Sequence, residues 1–203
     1  MTRAKSQAPI VERINYLETV ISSNRFLQMR GVGNELPFFI CPFDPTEAVA
    51  METARRQLIH RLTSRGIGVL EIDLYSLVIE VLQTRGIWER ILEVETTVSK
   101  ADFKELLQGV LDPETHLTPV IAERIRTTQY DTLFLSGVGE IFPYLRSHNI
   151  LNNLHRIAQE RPLVMFFPGD YTSSPETGES LDLFGRLRDD KYYRAFNIYD
   201  YTV

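Results

Sequence analysis

Residues 131–154, DTLFLSGVGEIFPYLRSHNILNNL, decide how the chain is read. Thr132 to Leu135 is an apolar run of strand length, and Ser136-Gly137-Val138-Gly139-Glu140 ends it in a tight turn. A Pro-initiated amphipathic segment follows at once. Strand, glycine turn and helix in that order predict an α/β unit, and in an open α/β sheet ligands collect where strands end this way. Polar groups cluster just past the strand end: Gly137, Gly139, Glu140, Arg146, Ser147, His148, Asn149, Asn152 and Asn153. An Arg, a His and several Asn can hydrogen-bond a ligand or a partner backbone. They can equally satisfy one another and the backbone of the loop. Both readings stand at this point.

Working outward, Pro162 to Phe167 is a continuous apolar run, suited to a sheet interior buried on both faces. Pro168-Gly169-Asp170-Tyr171 ends it. Thr172 to Ser180 reads as an exposed loop, and Leu181 to Gly185 as a short last element. Upstream, Pro37 to Cys41 is the first core strand. Thr46 to Ser64 follows as a helix with Thr46 as its N-cap and Ala50, Ala54, Leu58 and Leu62 on one face. Ile67 to Ile72 is the second strand, and Asp73 caps a helix from Leu74 to Thr84. An amphipathic helix over 10–21 precedes them all.

Alternating strands and helices with short connections predict one three-layer α/β domain over 1–203. Its mostly parallel sheet has four or five strands, using the elements near 38, 68, 132 and 163, and is flanked by helices. Residues 87–129 are too long for one crossover and predict a helical insertion on the sheet edge. Its first helix puts Trp88, Ile91 and Leu92 inward, a capping box at Ser99-Lys100-Ala101-Asp102 opens a second helix to about Val110, and a third places Val120, Ile121 and Ile125 on its apolar side. The charges on these helices read as a solvated face.

Composition narrows the function. The chain has 203 residues, 43% of them apolar, with 22 Lys+Arg against 27 Asp+Glu. A net charge of −5 works against tight duplex DNA binding by the chain alone, which draws on clustered cations. No stretch approaches the roughly 20 apolar residues of a membrane span, and the first residues lack a secretory h-region. A cytoplasmic protein is expected. The single cysteine, Cys41, excludes an internal disulfide framework and a Cys-rich zinc site, and reads as a buried hydrophobe. The histidines His60, His116, His148 and His155 show no metal-ligand spacing. No metal or cofactor is expected.

Catalytic motifs are missing too. No G-x-x-x-x-G-K-[ST] occurs, Gly31-Val32-Gly33 precedes the first strand rather than following one, and Ser136 sits in L-S-G-V-G rather than G-x-S-x-G. With no residue set for a reaction, a non-enzymatic protein is expected. The tail RLRDDKYYRAFNIYDYTV carries four Tyr and a Phe within ten residues. Such aromatics either tuck into the core or make a partner surface. On the second reading Tyr192, Tyr193, Arg194 and Phe196 are candidate contacts.

The segments GVGNELPFFI, GIGVLEIDLYSLVIEVLQTRG, LFLSGVGEIFPYLRSHNILNNL, PLVMFFPGDY, LFGRL and YYRAF, in that order, resemble the BrxB family of bacteriophage-exclusion (BREX) defence systems. The resemblance runs from about Phe26 to Phe196. It implies a small component encoded beside a PglZ-type protein, the BrxC ATPase, the PglX adenine methyltransferase and usually BrxL. It implies an adaptor of that assembly, with PglZ as its partner, BrxC and PglX as further candidate contacts, and DNA reached only through the complex. No catalytic residue carries over. The alternative is a degenerate nucleotide- or nucleic-acid-binding sensor at the Gly137–Gly139 turn.

Overall fold

The computed structural model describes residues 5–30, 37–174, 178–184, 187–189 and 195–202. Its centre is a parallel sheet built from β1 (Phe38–Phe43), β2 (Val69–Asp73), β3 (Thr132–Ser136), β4 (Leu163–Ser174) and, at one edge, the two residues Phe196–Asn197. The order is β2-β3-β4-β1 and then the edge pair, and each neighbouring pair is parallel. β1 and β3 are buried along their whole length. Alternation therefore sends apolar side chains to both faces. Phe38, Ile40, Leu133, Leu135, Leu163 and Met165 join one core, and Phe39, Cys41, Phe134, Val164 and Phe166 the other.

Connection direction decides which helices cover which face. From β1 the chain crosses behind β4 and β3 through α2 (Ala48–Ser64) to reach β2 at the far edge. It then returns step by step through β3 to β4. Right-handed crossovers travelling in opposite directions must lie on opposite faces. α2 accordingly packs with α1 (Ile10–Ile21) on one side, held by Glu18 to Arg61 at 3.2 Å and to Arg65 at 2.8 Å. On the other side lie α3 (Leu74–Thr84), α4 (Trp88–Glu95), α5 (Lys100–Val110), α6 (Thr118–Thr127) and α7 (Ser147–Leu154). The expected insertion is α4 to α6. Its Ile91, Phe103, Leu107 and Ile121 share one core with α3 and the sheet.

Several local expectations are corrected. Thr46 is not the cap: Asp44 Oδ1 accepts from the Thr46 N–H at 2.8 Å, and a 3-10 turn over Pro45–Glu47 precedes α2. The buried stripe of α2 is Met51, Ala54, Arg55, Leu58 and Leu62, with Ala50 exposed. Steps of four residues drift about 40° each around a helix, so Ala50 has turned away from the face that Leu62 occupies. Leu92 points outward, leaving Ile91 as the buried residue of α4.

The helix after the glycine turn does not begin at once. Turns fill 138–145, and α7 starts only at Ser147. Pro143 donates no N–H and bars helical geometry at the residue before it. The polar stretch 172–180 is mostly hairpin rather than loop. β4 runs on past Pro168 and pairs antiparallel with β5 (Gly178–Leu183), which pairs in turn with β6 (Leu187–Asp189). Buried Tyr171, Leu181 and Leu183 give the hairpin an apolar side that the local polarity hid.

The edge pair Phe196–Asn197, now β7, brings the tail onto β1 with Phe39 opposite Phe196. Ile198 and Tyr199 beyond it are buried. Through Ile198 and Tyr199 the described tail joins the core.

Candidate functional site: a crevice at the ends of the parallel strands

α2 leaves the end of β1 over one face, and α3 leaves the end of β2 over the other. Between them the strand ends open into a crevice of about 760 Å³. This is the position where open α/β sheets take ligands. Its floor is apolar: Phe43, Met51 and Phe166 are almost wholly buried. Its lips carry Tyr75, 49% exposed, and Phe184, 38% exposed.

The two glycines of the β3 turn line the crevice because nothing larger fits. Gly137 has φ +75°, and a Cβ there would lie 2.8 Å from the Tyr75 nitrogen and 2.9 Å from Asp73 Oδ2. A Cβ on Gly139 would lie 2.9 Å from Pro168 Cγ. The turn thus presses against the start of α3 on one side and the end of β4 on the other.

The charged lining is largely self-satisfied. Arg55 projects from the apolar stripe of α2, ion-pairs with Glu71 of β2 and lies over the Phe166 ring at 5.9 Å. Its guanidinium is the buried partner, with 8% of the side chain exposed against 35% for Glu71. Burial pulls the Arg55 pKa down, and the carboxylates of Asp73, Glu52 and Glu140 pull it back up. Arg56 pairs with Glu52, and Arg124 with Glu80. Asp73 Oδ1 accepts from the Ser76 N–H at 2.9 Å and caps α3, while Oδ2 accepts from Ser136 Oγ at 3.0 Å. Asp73 and Glu140 are left as lining acids without a cationic partner among the described ion pairs, so the crevice is net acidic.

The family model for BREX protein BrxB matches residues 70–198, from β2 through the strand ends to β7. A BREX protein BrxB of Bacillus cereus (strain H3081.97) is 33% identical over 195 residues, covering 94% of this chain and 98% of the relative. The chain belongs to the BrxB family. Another BREX protein BrxB, from Escherichia coli O9:H4 (strain HS), is 27% identical over 191 residues, covering 94% of this chain and 92% of that protein. No solved structure matches the chain.

In this BrxB-family chain the residues singled out from sequence divide into separate places. Gly137, Gly139 and Glu140 line the crevice, with Glu140 exposed at its edge. Arg146 and Asn152 are exposed at and on α7, away from the crevice lining. Asn153 Nδ2 donates to the Asn149 carbonyl at 2.8 Å, and Asn153 Oδ1 accepts from Arg156, which also meets Glu114 at 2.9 Å. These polar groups of α7 serve their own helix and the neighbouring turn. His148 lies in the first turn of α7, and its side chain is outside the described set. Tyr192, Tyr193 and Arg194 lie outside the described residues, and Phe196 is half-buried in β7.

Two residues of the site carried readable signals that the sequence reading passed over. Glu71 interrupts an otherwise apolar strand, and Arg55 falls on the buried stripe of α2. A charge on a buried stripe calls for a partner, and Glu71, on the exposed side of β2, supplies it.

Cys41 is the remaining chemical candidate. It is fully buried, with Sγ 3.5 Å from Tyr199 Oη. Burial pushes its thiol up to about 12, against the opposing effects of the Tyr199 hydrogen bond and the Arg13 charge. Tyr199 is raised as well, again by burial. A thiol held protonated is no nucleophile. Its ionisation instead sets a stability trend. The unfolded thiol ionises near its ordinary value of 9.0, the folded one near 12, so between them only the unfolded state loses the proton. Stability contributed below the lower value is therefore lost as pH rises, by up to about 1.4 kcal/mol per pH unit. Urea midpoints should fall between about pH 8 and pH 10.5, and more steeply in the parent than in Cys41→Ala. Equal slopes in the two proteins would contradict this.

Proposed function

We propose that the chain is a non-enzymatic adaptor of a BREX anti-phage assembly. It docks on a PglZ-type partner and supports host DNA methylation and phage exclusion through that complex. The crevice carries this reading: its arginines are each neutralised by an acid, while aromatic side chains stand exposed at its lips. Aromatics beside a polar rim are the composition of a contact surface. The Gly137 turn gives less support to a phosphate-sensing role. Asp73 already takes the Ser76 N–H in the first turn of α3, and its carboxylate and that of Glu140 put negative charge where a phosphate would sit.

Co-expression with the neighbouring PglZ-type protein, one of the two tagged, tests the proposal. A stoichiometric complex on size exclusion at moderate salt is expected. Separate peaks with both proteins folded would refute the adaptor role with this partner.

A further inference from the structure

The geometry points to a more specific use of the crevice: it is a slot for an extended, basic segment of a partner protein. One lysine or arginine of that segment lays its stem on the Phe43–Phe166 floor and brings its cation to Asp73 and Glu140. The identity of the partner rests on the adaptor reading; the chemistry of the slot does not.

Three observations converge on this occupant. The volume of about 760 Å³ lies within the roughly 300–1,000 Å³ of ligand-sized pockets, and it is open to solvent through lips formed by Tyr75 and Phe184. Large aromatics left exposed around one cavity are costly unless something covers them. The lining holds Glu52, Glu71, Asp73, Glu80 and Glu140 against Arg55, Arg56 and Arg124, and every arginine is already paired. An incoming anion would meet spent cations, whereas an incoming cation meets two carboxylates, Asp73 and Glu140, that stand outside the described ion pairs and feel only the charge of the already paired Arg55. Asp73 keeps accepting capacity, since its described hydrogen bonds use fewer than the roughly four lone-pair sites of a carboxylate. The chain also displays the binding mode internally. Arg55 sits over the Phe166 ring while pairing with a carboxylate, the arrangement a partner arginine would repeat one step further out.

Fluorescence anisotropy with two labelled peptides tests the slot directly: four arginine–leucine repeats, and the same peptide with glutamate for arginine. The arginine peptide should bind and weaken as salt rises, because exposed charges are screened. The glutamate peptide should not bind. Glu140→Arg and Tyr75→Ala should each weaken the arginine peptide about tenfold, a loss typical of a central contact. Val11→Ser, on exposed surface of α1, should leave it unchanged. Both slot variants change exposed side chains, and unaltered melting curves confirm their folding. Equal binding of the two peptides, or no loss in either slot variant, would overturn the inference.

The same variants carried into partner co-elution separate the two proposals. Loss of peptide binding with the partner complex intact would overturn the slot as the docking site and leave the adaptor reading standing. Peptide binding that behaves as expected, with no partner complex in the parent, would sink the adaptor reading and keep the slot. A concentration-dependent self-association abolished by Glu140→Arg would assign the slot to a second copy of this chain and overturn the partner segment.

Discussion

Replacing Glu71 with leucine should lower the unfolding free energy by about 3 kcal/mol, whereas Arg55→Leu should cost only about 1 kcal/mol. The asymmetry comes from which charge is left behind. Arg55 has 8% of its side chain exposed, so without Glu71 its guanidinium remains desolvated over the Phe166 ring. Glu71 has 35% exposed, and on losing Arg55 it turns to water. The 3 kcal/mol lies at the low end for breaking a buried pair because Asp73, Glu52 and Glu140 still attract the orphaned cation. The double variant should recover much of the loss, since two leucines fill the α2–β2 contact without any charge. Urea titration of the four proteins gives the coupling directly. Equal costs for the two single changes would show that Glu71 does not neutralise Arg55.

The distance between sequence and site follows from what each residue depends on. Strand runs such as Thr132–Ser136 and Leu163–Phe167 are apolar on both faces, and that pattern alone demands a sheet covered on two sides. Caps are equally local: Asp73 three residues before Ser76, and Ser99 three before Asp102, satisfy N–H groups their own helices leave open. What could not be read is what crosses the sheet. The strand order decides that α2 and α3 diverge around one crevice, and no single segment encodes that order. Arg55 and Glu71 lie sixteen residues apart and meet only because β2 sits at the sheet edge with α2 passing behind it. Asn149 and Asn153, which stand close together in sequence, show the opposite case. Their nearest partners are one helical turn away, so a cluster in sequence became a helix bonding to itself.

Phe39→Ala should be the most damaging single change considered, costing about 3–5 kcal/mol. Phe39 is completely buried in β1, and its ring is where the helical turn after α1 and the C-terminal tail meet the sheet. Phe26 packs at 4.8 Å from the helical turn after α1, Phe196 at 5.9 Å from β7, and Tyr201 at 5.5 Å, edge-on, from the tail. Tyr201 also stands edge-on to Phe26 at 5.6 Å and donates its hydroxyl to the Arg30 carbonyl at 2.7 Å. Tyr16 of α1 donates to the Tyr201 carbonyl at 2.5 Å. β7 contributes only two residues to the sheet, so its hold on β1 depends on these ring contacts more than on its ladder. Removing the Phe39 ring therefore acts twice: it opens a cavity in the α1–α2 core, and it frees the tail. Amide exchange at Phe196 and Asn197 should accelerate more than exchange in β3, which lies in the same sheet but away from Phe39. Phe196→Ala, at a half-buried edge position, should cost about 1–2 kcal/mol. Uniform acceleration across both strands would mean that the tail and the sheet open as one unit, and that Phe39 is a core residue with no special hold on the chain end.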